Sequence, residues 1–146
     1  MSNESAGAKK AVCEKKRRLR ETPIRYTIDL NKRIVTATFG GILTADVLCQ
    51  YTKLLRQDPK FSASLSEIAD ITEVQEIQLS GEQLIRLADS IDPFSRAAKR
   101  AFIVRNAMQG HEARMYGILR LSRERIRAFH SCSEAERWIL SDDNPR

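Results

Sequence analysis

The sequence predicts an α/β domain: a mostly parallel sheet of about five strands, opened by a β-hairpin, with about four helices. Three observations predict it. Two adjoining segments near the start alternate apolar and polar residues with period two, the mark of half-buried strands. From there on, short β-type runs alternate with helical apolar stripes in the order β-β-α-β-α-β-α-β-α, which calls for parallel strands joined by right-handed crossovers. No repeat, low-complexity tract or internal linker divides residues 23–141, so one domain suffices.

Thr22-Pro23 sets extended geometry, and Ile24, Tyr26, Ile28 and Leu30 then alternate with Arg25, Thr27 and Asp29. Asn31-Lys32 suits a tight turn because Asn tolerates positive φ. Arg33 to Phe39 forms the second strand of the hairpin, and Gly40-Gly41 is expected to end it. Thr44 is placed to cap a helix that carries Val47, Leu48, Tyr51, Leu54 and Leu55 on one face and stops at Asp58-Pro59. Ser66 to Ile71 reads as a short strand, followed by a loop through Glu73 and Glu76. Ser80 and Gln83 have the spacing of a capping box. They open a second helix with Leu84, Leu87, Ala88 and Ile91 on one face, ended by Asp92-Pro93. Ala101 to Val104 is a continuous apolar run, as for a strand covered on both faces. Gly110-His111 is expected to open a third helix with Met115, Ile118, Leu119 and Ser122 on one side. Arg125 to Phe129 reads as a last strand, and Ser133 with Glu136 as the capping box of a final helix.

Composition excludes several classes. The chain has 146 residues, 42% hydrophobic and 30% charged, which describes a globular domain with a core. No apolar run approaches the roughly 20 residues of a membrane span. No apolar stretch follows the early charges as in a secretory signal. Cys13, Cys49 and Cys132 are odd in number and widely spaced, so they predict no disulfide framework and suit the cytoplasm. Of the net charge of +6, +4 falls in residues 1–22. That segment reads as a flexible basic extension with one cluster, Lys15, Lys16, Arg17, Arg18 and Arg20. It is suited at most to weak contact with nucleic acid or an anionic surface. Residues 142–146 read as a polar tail.

No catalytic or metal constellation is complete. His111-Glu112 starts like a zinc-protease helix, but Met115 stands where the second histidine is needed. Gly40-Gly41 lacks the further residues of a dinucleotide or phosphate loop. His130 and Cys132 are close in sequence, yet nothing fixes them as a pair or sets them beside Asp70. No metal and no cofactor is expected. Ser80-Gly81 is more informative. Its capping role explains Ser80 structurally, and the same helix start favours a phosphoryl group, whose charge would alter any docking surface.

The run from Asp70 to Gly81, the Gly41-Ile-Leu-Thr-Ala-Asp46 approach to the first helix and the closing segment from Phe129 to Leu140 resemble the STAS family. More narrowly they resemble small bacterial SpoIIAA-like proteins related to STAS and SEC14 domains. The resemblance spans about residues 24–140. It implies a mixed sheet with helices packed mainly on one side. It also implies a phosphorylated serine at the start of the second helix, the position of Ser80, although Gln78 and Leu79 stand where the antagonists of that family carry an acidic residue and a second serine. The expectation is a non-enzymatic, cytoplasmic regulatory module that meets a protein partner around Thr72, Ser80 and Gly81. The SEC14 relationship implies an alternative: a small apolar ligand or lipid held beneath Leu84, Phe94, Phe102 and Met115.

Overall fold

A computed structural model describes residues 24–141. The basic cluster Lys15, Lys16, Arg17, Arg18 and Arg20 and the polar tail lie outside the described residues. The elements run β1 (Ile24–Asp29), β2 (Ile34–Thr44), α1 (Ala45–Gln57), β3 (Ser66–Gln78), α2 (Gly81–Arg86), β4 (Arg100–Ile103), α3 (Ala107–Leu119), β5 (Ile126–Phe129) and α4 (Cys132–Leu140). A π-helical turn, Leu87–Ile91, continues α2. The sheet order is β1-β2-β3-β4-β5, with β1 antiparallel to β2 and every other pair parallel. This is the mixed α/β sheet expected.

Alternation across the strands builds two cores. Val35, Ala37 and Phe39 of β2 with Ala69 and Ile71 of β3 meet Tyr51 and Leu55 of α1 and Phe94, which follows the second helix. Ile34, Ile68, Ala101 and Ile103 point the other way and pack on Ala135 and Ile139 of α4. The first three helices therefore share one face and α4 takes the other.

Three strand boundaries differ from the sequence reading, each for a physical reason. The hairpin loop spans the four residues between Asp29 and Ile34, and the positive φ falls on Arg33 (59°) rather than Asn31. Gly40-Gly41 does not end β2. The strand runs through them with shifts of register, and Gly41 has φ 68°, which favours glycine. Opposite it, β3 is 13 residues long, so Glu73 and Glu76 lie on a strand and not in a loop. Two bulges in β3 turn the inward spacing from two residues to three, at Ile71, Val74 and Ile77. Period two disappears there although the strand does not. Asp70 Oδ1 holds the first bulge by accepting from the Thr72 amide (2.9 Å) and hydroxyl (2.7 Å).

The helix starts also move. Asn106, not Gly110, caps α3, its Oδ1 accepting from the Gln109 amide at 2.9 Å. The inward face of α3 is Gln109, Gly110, Ala113 and Gly117, whereas Met115 and Ile118 are exposed. Small residues face inward because the helix lies close to the sheet: a Cβ on Gly117 would sit 3.3 Å from Arg123 Cα and 3.4 Å from Ile126 Cβ. Ser131 rather than Ser133 caps α4, and Glu136 instead pairs with Lys32 at 2.6 Å.

Candidate functional site: an apolar cavity over a buried ion network

Glu67 and Arg100 are register partners on β3 and β4, and both point to the face covered by three helices. Glu67 Oε1 accepts from Arg100 Nε at 2.8 Å, and Glu67 Oε2 accepts from the Tyr51 hydroxyl of α1 at 2.7 Å. Arg100 Nη2 lies 3.0 Å from Asp92 Oδ2. Asp92 ends the second helix, where its amide donates to the Leu87 carbonyl at 2.9 Å. Its Oδ1 accepts from the Phe94 amide at 2.9 Å and its Oδ2 from the Tyr116 hydroxyl of α3 at 2.5 Å. Arg120, just past α3, donates to the carbonyls of Ala88 (2.8 Å) and Phe94 (2.6 Å), with its Nε 3.7 Å from Asp92 Oδ2.

None of these four ionic side chains is more than 6% exposed. Two carboxylates face two guanidiniums, so the cluster carries no formal excess. Burial of this kind disfavours charge unless each ion is paired and hydrogen-bonded. Here burial alone would raise the Asp92 carboxyl, but Arg100, the Tyr116 hydroxyl, the Phe94 amide and Arg120 together hold it below the ordinary carboxylate range. Burial and the neighbouring Asp92 push the Tyr116 hydroxyl well up, and burial with Glu67 does the same to Tyr51. Both phenols therefore stay protonated as donors. The Arg100 guanidinium also lies over the Phe94 ring, 4.3 Å from its centroid.

Above this network is a cavity of about 110 Å³. Phe39 and Leu43 of β2 and Leu48 of α1 form part of its wall, and Leu79, Leu84 and Leu87 of the second helix and its approach cover it. Tyr51, Glu67, Asp92, Arg100 and Tyr116 supply its polar side. Glu112 of α3 also reaches it. An apolar space with a few convergent polar groups has the makings of a ligand site.

Of the residues proposed for a pocket, Leu84, Phe94 and Phe102 line this cavity. Met115 does not; it is on the outer side of α3, and its neighbour Tyr116 faces inward instead. Ser80 forms the expected capping box: its Oγ accepts from the Gln83 amide (3.0 Å) and its own amide donates to Gln83 Oε1 (2.9 Å). Thr72 sits at the first bulge of β3, its carbonyl accepting from Arg105 Nη1 at 2.6 Å. About six strand residues separate it from the end of β3, roughly 20 Å, so a surface holding Thr72 with Ser80 and Gly81 is a long one. His130 and Cys132 are both exposed, on either side of the Ser131 cap. Among the described residues no cluster of His, Cys, Asp and Glu is suited to a metal ion, and no helix is long and apolar enough to cross a membrane.

The ion network itself escaped the sequence reading. Asp92 reads there as a helix stop and Glu67 only as part of the strand from Ser66 to Ile71, and Arg100 lies just before the apolar run from Ala101 to Val104. The signal available was the placement of Glu67 and Arg100 within apolar strands covered by helices.

No protein-family model and no curated protein matches the chain. Among solved structures it matches an uncharacterized protein of the DUF3478 family with a SpoIIAA-like fold from Shewanella loihica PV-4. The match has a TM-score of 0.55 and 19% identity, over 80% of this chain and 93% of that one. An identity that low carries the fold alone: the chain has a SpoIIAA-like fold.

Proposed function

We propose that this chain is a non-enzymatic binding module of the cytoplasm, and that its cavity beneath the second helix takes a small, mostly apolar ligand. The observation that carries this reading is the 110 Å³ space itself, roofed by Leu84 and Leu87 and floored by Arg100 and its partners. Apolar cavities of this order hold a benzene-sized guest, as an engineered one of about 150 Å³ does. The test is a titration of the methyl-labelled protein with toluene, followed by NMR. Saturable shifts at Leu43, Leu84 and Leu87, absent in a cavity-filling Ala113→Leu variant that still melts cooperatively, support the reading. No shift at those methyls up to the solubility limit contradicts it.

A second reading, contact with a protein partner at the start of the second helix, is favoured by one observation. Gly81–Arg86 buries none of its residues, and Ile85 is 55% exposed beside Leu84, which lines the cavity. Regulation by phosphorylation would act at Ser80, whose hydroxyl holds the cap. Undiminished partner binding by Ser80→Glu would count against that version.

A further inference from the structure

Resting on the cavity reading, we propose that the ligand is uncharged and carries a hydroxyl group, an alcohol or phenol, and that the site rejects carboxylates of the same size. The charges lining the cavity are Glu67, Asp92 and Glu112 against Arg100. Arg120 adds a cation behind Asp92. Glu67 and Asp92 already occupy the guanidinium of Arg100 through Nε and Nη2. A carboxylate entering this space would compete with both for the charge of Arg100, which they already balance, and would meet three carboxylates in the lining. A buried charge without a partner is strongly disfavoured.

The polar groups also select the kind of neutral molecule. Tyr51 and Tyr116 each spend their single O–H on a carboxylate, at 2.7 and 2.5 Å. Their phenolic oxygens then offer only lone pairs to anything beside them. A ligand that donates a hydrogen bond satisfies such an oxygen; a carboxylate, ketone or ester oxygen does not. An alcohol or phenol supplies the donor with no charge. A cationic amine also donates, but must leave water, and Glu112, the carboxylate for which no ion pair is seen among the described residues, is only partly buried.

Four probes of similar size separate the possibilities at pH 7: phenol, toluene, benzoate and benzylammonium, each titrated against the full chain with methyl shifts at Leu84 and Leu87 as the readout. Phenol is expected to bind, with benzoate and benzylammonium at least tenfold weaker. Tyr116→Phe, or Tyr51→Phe if the first variant does not fold, should weaken phenol several-fold more than it weakens toluene. Benzoate or benzylammonium binding as tightly as phenol would overturn the inference while leaving the cavity reading in place. So would phenol binding untouched by both tyrosine variants. If none of the four probes, toluene included, moves those methyls, the cavity reading falls and the inference falls with it.

Discussion

Asp92→Asn tests the buried network at the point where most of its contacts meet. The carboxylate accepts from the Tyr116 hydroxyl and the Phe94 amide, pairs with Arg100 at 3.0 Å and faces Arg120 Nε at 3.7 Å. An amide of the same shape keeps one acceptor but sets an NH₂ group or a neutral oxygen against two guanidiniums. Among the described residues, Arg100 then keeps only Glu67, and Arg120 loses its one close carboxylate. Removing one partner of a buried pair costs about 3–5 kcal/mol, against a total stability of about 5–15 kcal/mol for a domain. The variant should therefore fold, with a melting temperature lower by about 12–20 °C for a chain of this size. Urea denaturation followed by far-UV circular dichroism at pH 7 measures the loss directly. The loss should shrink with acid. The folded-state pKa of Asp92 lies below its unfolded value near 3.9. Its contribution is thus complete above that value and disappears as pH falls through the depressed one. The gap between wild type and variant should narrow below about pH 4. A loss under about 1 kcal/mol at pH 7, or a gap that widens in acid, would refute this account of the network.

Two glycines of α3 should respond in opposite directions. Gly110→Ala meets nothing nearer than the flexible end of Arg114 at 3.6 Å and should stabilise by about 0.5–1 kcal/mol. Gly117→Ala presses on the Arg123 backbone and should destabilise by about 1–3 kcal/mol; thermal melts compare the two. Ser80→Ala should cost about 1 kcal/mol. Because Gly81–Arg86 buries no residue, the effect should fall on the local opening of the second helix. Amide exchange over residues 81–91 should quicken about fivefold while the global melting temperature barely moves. Phe94→Ala, at a side chain only 3% exposed between the cavity and Arg100, should cost about 3–5 kcal/mol by denaturant titration.

Legibility in the sequence followed the physics of each element. The hairpin and the caps at Thr44 and Ser80 were readable because each depends on neighbours within a few residues. The far half of β3 was not, because its bulges change the spacing of Ile71, Val74 and Ile77 and imitate a loop. The inner face of α3 was misread because size, not hydrophobicity, decides which residues fit against β5. Met115 and Ile118 look like core but are too large for a helix held that near the sheet. Three of the four residues expected around a pocket line the cavity, since apolar residues on the second helix and β4 had to share that side of the sheet. The polar floor was invisible. Glu67, Asp92 and Arg100 come from three separate elements, and only the tertiary fold pairs them.

The claim at the centre of this account is that the space under the second helix is open to an apolar guest. A crystal structure of the protein pressurised with xenon tests it most directly, since xenon enters dry apolar cavities without needing any polar contact. The account predicts a xenon atom among Phe39, Leu84, Phe94 and Phe102, with the Glu67–Arg100–Asp92 contacts unchanged beneath it. Those four side chains closed against one another, with no xenon between them, would contradict it.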